Sequence, residues 1–144
     1  MSTNATNNLK QITFFKAQNI KKGWGKEVQI INHCSVDGND SSFPTGYAGK
    51  LLCYENDRAV SSMHCHGVKW ETFYVLDGEF IFRYINPDNA EILSKPLSAG
   101  DCVDIPPLCQ HQVICQKKGI IIEFSSTDRS SDNYRVLPGD SQTK

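Results

Sequence analysis

The chain has 144 residues, of which 39% are hydrophobic, so it has the size and composition of one domain with a hydrophobic core. Its 15 lysines and arginines nearly balance its 16 aspartates and glutamates, for a formal net charge of -1. The balance argues against nucleic-acid binding, and the lack of a membrane-length apolar run argues against membrane insertion, so we expect a small-molecule partner.

The two ends of the chain are polar. Because residues 1–8 lack the hydrophobic region of a secretory signal peptide, we expect a cytoplasmic protein. Residues 1–10 and 140–144 are predicted to be disordered and residues 11–139 to form a single domain. In that location the six cysteines are expected to be reduced: Cys34, Cys53, Cys65, Cys102, Cys109 and Cys115.

Short apolar runs separated by turn residues predict an all-β domain. The predicted strands, in chain order, cover residues 27–32, 49–54, 59–64, 71–76, 79–85, 90–93, 101–105, 111–115 and 120–124. Residues 35–45 are rich in Ser, Gly, Asp and Asn, which predicts a surface loop that borders a pocket mouth.

Two turns are predicted between these strands. Asp77 and Gly78 lie between two apolar runs, and both residue types favour the positive φ of a two-residue hairpin turn. Residues 86–89, Asn-Pro-Asp-Asn, predict a second turn.

Four residues are candidate metal ligands: His64, His66, Glu71 and His111. Alternation along a strand directs His64 and His66 to the same face, and a bend at Gly67 would return Glu71 to their side. His111 would arrive from another strand. Any one histidine alone would be better explained as a surface or core residue, but the ordered set predicts a site for Mn, Fe, Ni or Zn.

The segment from His64 to Gly78 reads HCHGVKWETFYVLDG, and the segment from Gly100 to His111 reads GDCVDIPPLCQH. They resemble the first and second motifs of the cupin superfamily. The resemblance implies a double-stranded β-helix, the cupin jelly roll, with short terminal extensions and one divalent ion. Arg58 and Leu108 stand where these motifs usually have glycine and Cys115 where they often have asparagine, which concerns turn geometry and leaves the ligands intact.

A closer resemblance is to sugar-isomerase-like cupins, described as D-lyxose ketol-isomerase-like or phosphomannose-isomerase-like. It includes residues 23–27, GWGKE, residues 122–127, IEFSST, and residues 132–135, DNYR. It implies an aldose-ketose isomerase or epimerase of carbohydrate metabolism that acts on a sugar or sugar phosphate. An ion, with Mn²⁺ preferred over Fe, Zn or Ni, would assist proton transfer through an enediol.

Three charged residues interrupt strand-like segments and are candidate catalytic residues. Glu123 is our first candidate for the general base and Lys50 the second, whereas Lys69 could stabilise a developing enediolate oxygen. The alternative for both lysines is a solvent-facing strand position, and for Glu123 an outward position on an edge strand.

Three further residues are candidates for substrate binding. Trp24 and Tyr74 could form aromatic walls for a sugar, although core packing would also explain them. Arg135 could hold a phosphate or carboxylate, although a solvated tail residue is the alternative.

Two other function classes stay open. The same ligands suit an Fe(II)-dependent dioxygenase, in which open coordination positions accept substrate and O₂. A non-catalytic sugar-binding cupin would hold its ligand without turnover.

We also expect a homodimer, with Thr13-Phe14-Phe15 as a candidate contact, since exposed strand edges favour pairing.

Overall fold

The computed structural model describes residues 12, 14–32 and 46–143. They form nine strands and one short helix, in the order β1 Gln18–Lys22, β2 Gly25–Asn32, β3 Tyr47–Tyr54, β4 Met63–Cys65, β5 Glu71–Ile85, β6 Ile92–Ser98, β7 Cys102–Ile105, β8 His111–Ser126, β9 Tyr134–Leu137 and α1 Asp140–Thr143.

The long strands β5 and β8 pair antiparallel and are shared by two faces of one curled sheet. The first half of β8 lies between β4 and β5, and its second half lies between β3 and β5. One face therefore has the order β1-β2-β3-β8-β5-β7 and the other β9-β4-β8-β5-β6. This arrangement confirms the predicted all-β jelly roll.

The predicted hairpin at Asp77 and Gly78 is wrong, because β5 continues through both residues. Gly78 has a φ of 93°, but Asp77 lacks the positive φ that a type I′ turn requires at both positions. The chain forms β-bulges here instead. A Cβ atom on Gly78 would lie 2.7 Å from the Lys117 oxygen, so the glycine permits the close approach of β5 to β8.

The bulges also change which residues of β5 face inward. Before them Phe73 and Val75 are buried, and after them Phe80 and Phe82 are buried, so the alternation moves by one residue. Both halves of the strand therefore contribute to the same core, although a strict period of two would direct one half to solvent.

Other predicted strands differ in their limits. Segments 111–115 and 120–124 join in β8, segment 59–64 is a strand only from Met63, and segment 90–93 is replaced by β6, which begins at Ile92. β1 and β9 were not predicted. The turn at residues 86–89 is confirmed, since the Ala90 amide donates to the Asn86 oxygen at 2.9 Å.

Arg58 and Leu108, which stand where glycine was expected, have φ values of 67° and 66°. The backbone thus keeps the glycine-like turn at both positions, at a cost of roughly 1–2 kcal/mol for each side chain. The departures from the motifs change the strain of these turns but not their path.

The C-terminal segment is ordered where we predicted a disordered tail over residues 140–144. Residues 140–143 form α1, and Asp140 is buried. Its carboxylate accepts from the Val60 amide at 3.0 Å, and its own amide donates to the Val60 oxygen at 2.8 Å. Residue 144, the predicted disordered residues 1–10 and the predicted loop 35–45 lie outside the described residues.

Three remaining expectations concern the surface, the cysteines and the membrane. Phe14 and Phe15 are 94% and 62% exposed, Thr13 lies outside the described residues, and the homodimer stays a prediction. The five cysteines that the structure describes are all free thiols. Within the same residues, no helix has the length and apolar character needed to cross a membrane.

Candidate metal centre and its pocket

The structure brings the four predicted ligands together at one end of the barrel interior. His64 on β4 lies directly opposite His111 on β8, His66 follows β4, and Glu71 is the first residue of β5. One ring nitrogen from each histidine lies within 4.8 Å of the corresponding nitrogens of the other two. His66, Glu71 and His111 are all buried.

Backbone carbonyl groups orient the three imidazole rings. Each Nδ1 lies within hydrogen-bonding distance of a carbonyl oxygen: Ser62 at 3.0 Å for His64, Asp132 at 2.6 Å for His66, and Cys109 at 2.8 Å for His111. Because a carbonyl only accepts, each Nδ1 is assigned the ring proton, which leaves the Nε2 lone pair available. Metal-binding histidines usually have this arrangement.

Glu71 lies beside this three-histidine group as the fourth candidate donor. Its Oε1 lies 3.4 Å from His66 Nε2, and its Oε2 lies 3.0 Å from His111 Nε2. Glu71 Oε2 and the two Nε2 atoms make no hydrogen bond within the described residues. Buried lone pairs facing one another at this distance repel unless a cation lies between them, so the four side chains fit a divalent ion such as Mn, Fe, Ni or Zn.

The protonation of two ligands agrees with this fit. Burial lowers the pKa of His64 to about 3, and the neighbouring His111 adds to the effect, so His64 is neutral near pH 7. Burial alone would raise the pKa of Glu71, but His111 and His66, in the state in which their Nε2 atoms carry a proton and donate to the carboxylate, and the charge of Lys69 outweigh it and hold that pKa well below its usual range.

Lys69 connects the candidate ligands to other carboxylates. Its Nζ lies 3.0 Å from Glu71 Oε1, 3.0 Å from Glu123 Oε1 and 3.1 Å from Asp128 Oδ1. Burial lowers the pKa of Lys69, but Glu123, Glu71 and Asp128 outweigh it and raise that pKa above its usual range. Lys69 is therefore a buried cation and not a solvent-facing residue.

Lys50 and Glu123 occupy neighbouring inward positions, since they are paired across β3 and β8. They are 6% and 4% exposed, which excludes the outward positions considered above. Lys50 Nζ contacts Asp128 Oδ2 and lies 3.8 Å from Glu27 Oε2. Burial opposes the charge of Lys50, but Glu123, Glu27 and Asp128 raise its pKa, so it stays protonated.

The pKa of Glu123 is shifted in the opposite sense from that of Glu71. Burial raises it first, the charge of Glu71 raises it further, and Lys69 and Lys50 offset part of the rise. The centre thus contains one carboxylate that favours ionisation and a second whose affinity for a proton is increased.

Asp132, which we did not predict, orients the loop between His66 and Glu71. Its carboxylate accepts from the amides of Gly67 at 2.6 Å, Val68 at 3.2 Å and Lys69 at 3.2 Å. Asp128 was missed as well. Both lie in a polar segment without strand periodicity, and the only signal there was the resemblance of residues 132–135.

The centre opens into a cavity of about 410 Å³. Trp24 lines it and stacks on Tyr54, with ring centroids 4.6 Å apart, and Phe73 forms another part of the wall. The prediction that Tyr74 forms a wall of the cavity is wrong. Alternation along β5 directs Phe73 inward and Tyr74 outward, so Tyr74 does not line the cavity. Arg135 lines the cavity from β9, where it is paired with His64.

No family model matches the chain, and no curated protein is similar enough in sequence to match it. Among solved structures, it is similar to the capsular polysaccharide assembling protein CapF from Staphylococcus aureus, with 17% identity and a TM-score of 0.67. That match covers 87% of this chain and 33% of CapF.

An RmlC-like cupin from Shewanella frigidimarina is 22% identical with a TM-score of 0.59, and the match covers 80% of this chain and 87% of that one. Oxalate decarboxylase from Bacillus subtilis is 14% identical with a TM-score of 0.64, over 83% of this chain and 30% of that one. The chain thus spans about a third of CapF and of the decarboxylase. These likenesses establish the cupin fold.

Proposed function

We propose that the protein is a metal-dependent sugar isomerase that interconverts an aldose and a ketose, or an epimerase with the same proton-transfer chemistry. One observation carries the proposal. The buried carboxylate of Glu123 lies in the same cavity as the four candidate ligands and is joined to one of them, Glu71, through Lys69 at 3.0 Å on each side.

The four ligands would hold the ion, for which Mn²⁺ is our first choice and Fe, Zn or Ni are alternatives. When bound, such an ion supplies Lewis acidity that polarises the carbonyl group of an open-chain sugar. The cavity is of a size typical for small-molecule sites, and Trp24 gives it an apolar wall against which a sugar ring or chain can pack.

Glu123 is the proposed general base. Isomerisation moves a proton between C1 and C2 through an enediol, and a base does this best when its pKa is near the working pH. Burial raises the pKa of Glu123 toward that range. Lys50, our second candidate, is better suited to electrostatic support because its raised pKa keeps it protonated.

Lys69 would stabilise the negative charge that develops on the sugar oxygen as the proton leaves carbon. A fixed cation in a dry site is effective in this role because no solvent must reorganise around it. Lys69 is 3% exposed and is held by three carboxylates, so its position is constrained before substrate enters.

The likeness in fold to a protein that assembles capsular polysaccharide supports a carbohydrate substrate.

The direct test is to load the protein with Mn²⁺, incubate it in D₂O with aldoses, ketoses and their phosphates, and follow deuterium at C2 by NMR. We expect exchange and isomer formation with at least one sugar. Lack of exchange across the panel, with the metal content verified, would contradict the proposal, and O₂ consumption by the Fe²⁺-loaded protein would favour a dioxygenase.

A further inference from the structure

The cavity has more cationic than anionic side chains among the described residues that line it. Its five cationic residues are Lys22, Lys50, Lys69, Arg129 and Arg135. Its four carboxylates are Glu27, Glu71, Glu123 and Asp128. The formal charge of the lining is therefore positive by one before any ion binds, and a bound divalent cation would raise it to +3.

The two signs are not mixed evenly. Lys50 and Lys69 are buried among the four carboxylates, each within 4.0 Å of at least two of them. Those four carboxylates, the two lysines and a divalent ion together carry no net charge. The excess of positive charge therefore belongs to the remaining cations of the lining, which are Lys22, 3.4 Å from Glu27 Oε1, and the exposed Arg129 and Arg135.

Arg135 is suitably placed to bind an anionic group of a ligand. It is exposed, and its guanidinium forms no ion pair within the described residues. The register between β4 and β9 places it opposite His64, and residues paired across strands have their side chains on the same face. A guanidinium can bind phosphate or carboxylate oxygens through two parallel hydrogen bonds.

We propose that the substrate is an anionic sugar, and that Arg135 binds its phosphate or carboxylate group while the carbonyl end lies at the metal centre. This inference rests on the proposed function, because it takes the cavity to be the sugar site. It makes Arg135 a residue that determines specificity and takes no part in the proton transfer.

The test uses ligands without an aldehyde or ketone group, so that binding is measured without turnover. Glucitol, glucitol 6-phosphate and gluconate are titrated into the Mn²⁺-loaded protein by calorimetry, in a buffer free of phosphate. Each titration is repeated with metal-free protein, because a metal ion itself attracts anions. We expect at least one anionic ligand to bind about tenfold or more tightly than glucitol in both forms.

Arg135→Gln should remove most of that advantage. Arg58→Gln is the matched control, because it removes the same charge from an exposed residue that lies outside the cavity. A gain with glucitol 6-phosphate alone identifies a phosphate, and a gain with gluconate alone identifies a carboxylate. If neither anion gains over glucitol, or if the gain persists in Arg135→Gln, the inference is wrong.

The two proposals can fail separately. Arg135-dependent anion binding without deuterium exchange for any sugar would refute the isomerase and leave the anion site intact. The opposite result has two parts: neutral sugars exchange at least as fast as phosphorylated or acidic sugars, and their rate is unchanged in Arg135→Gln. That result would refute the anion site alone.

Discussion

His64 and His111 face each other across the antiparallel pairing of β4 with β8, and their ring centroids are 4.7 Å apart. This is the one residue pair in the register between the two described strands. The two sequence motifs therefore meet at their ligands, so that the pairing which closes this end of the barrel also assembles the candidate metal centre.

Replacing His64 should abolish tight metal binding. Three donors would remain in His64→Ala, and the hydrogen bond from its Nδ1 to the Ser62 oxygen would be lost. Because an ion that binds only the folded state raises its stability, Mn²⁺ should raise the melting temperature of the wild type and have little effect on the variant. Metal content by mass spectrometry and thermal shift with Mn²⁺ measure this.

His33→Ala is the matched control, since His33 is the remaining histidine and stands outside both motifs. It should keep the metal content of the wild type. Equal metal content in His64→Ala and His33→Ala would contradict the assignment of this centre.

Glu123→Gln should retain the metal and lose isomerisation. Glutamine has nearly the same shape but cannot accept the proton from carbon, so C2 exchange should fall by about 10²–10⁴. Glu79→Gln provides the comparison, because Glu79 is an exposed residue of β5 that does not line the cavity. Full exchange activity in Glu123→Gln, measured at equal Mn²⁺ content, would exclude Glu123 as the base.

Asp132→Ala should weaken metal binding although Asp132 is not a ligand. Its carboxylate accepts from three consecutive backbone amides of the loop that follows His66. Loss of such support for a ligand typically lowers metal affinity by about 10–100-fold. Asp132→Asn keeps one accepting oxygen and should have a smaller effect.

The control for Asp132 is Asp88→Ala in the exposed turn between β5 and β6, which should leave metal affinity unchanged. Mn²⁺ affinity and the melting temperature of the metal-free protein are both measured. If Asp132→Ala lowers the melting temperature but binds Mn²⁺ as tightly as the wild type, its role is structural only.

The ligands and the inward residues of regular strands could be predicted because short-range alternation determines them. His64 and His66 lie two residues apart, and the same rule applied outward from Glu71 would have excluded Tyr74 from the cavity. The continuation of β5 through Gly78 could not be predicted in this way. It depends on the contact with Lys117 in β8, which is distant in sequence.

The C-terminal part of the site was beyond prediction for a related reason. Asp128 and Asp132 lie in a segment with no strand period, and their roles arise from contacts with Lys50, Lys69 and the amide of Gly67, all far away in the chain. Only Arg135 in this segment had been a candidate site residue. Partners brought together by tertiary folding leave little trace in local sequence.

Asp128 should make the stability of the metal-free protein depend on pH in the acidic range. Burial alone would raise the pKa of Asp128, but Lys69 and Lys50 outweigh it and lower that pKa from 3.8 to about 2. A lowered pKa gives a contribution to the free energy of unfolding that is fully present above pH 3.8 and is lost as the pH falls toward 2.

Urea unfolding of the wild type and of Asp128→Asn, each in EDTA at several pH values, measures this contribution. The wild type should lose more stability than the variant between pH 4 and pH 2, roughly the interval between the two pKa values. Contributions of carboxylates that do not contact Lys50 or Lys69 cancel in the comparison. Parallel pH profiles for the two proteins would mean that the ion pairs of Asp128 with the two lysines add nothing to stability.

Gly78→Ala should destabilise the protein more than Gly100→Ala. The two glycines have nearly equal φ values, 93° and 95°, so an added side chain meets similar backbone strain at both. They differ in their surroundings: a Cβ atom at Gly78 would lie 2.7 Å from the Lys117 oxygen, whereas one at Gly100 would have nothing within 4 Å.

The difference between the two variants therefore isolates the close approach of β5 to β8, and we expect it to be about 1–3 kcal/mol in the free energy of unfolding. Chemical denaturation of both variants and the wild type measures it. Equal destabilisation would mean that the strands can separate at the bulge without cost, and that the crossing at Gly78 does not hold the two faces of the sheet together.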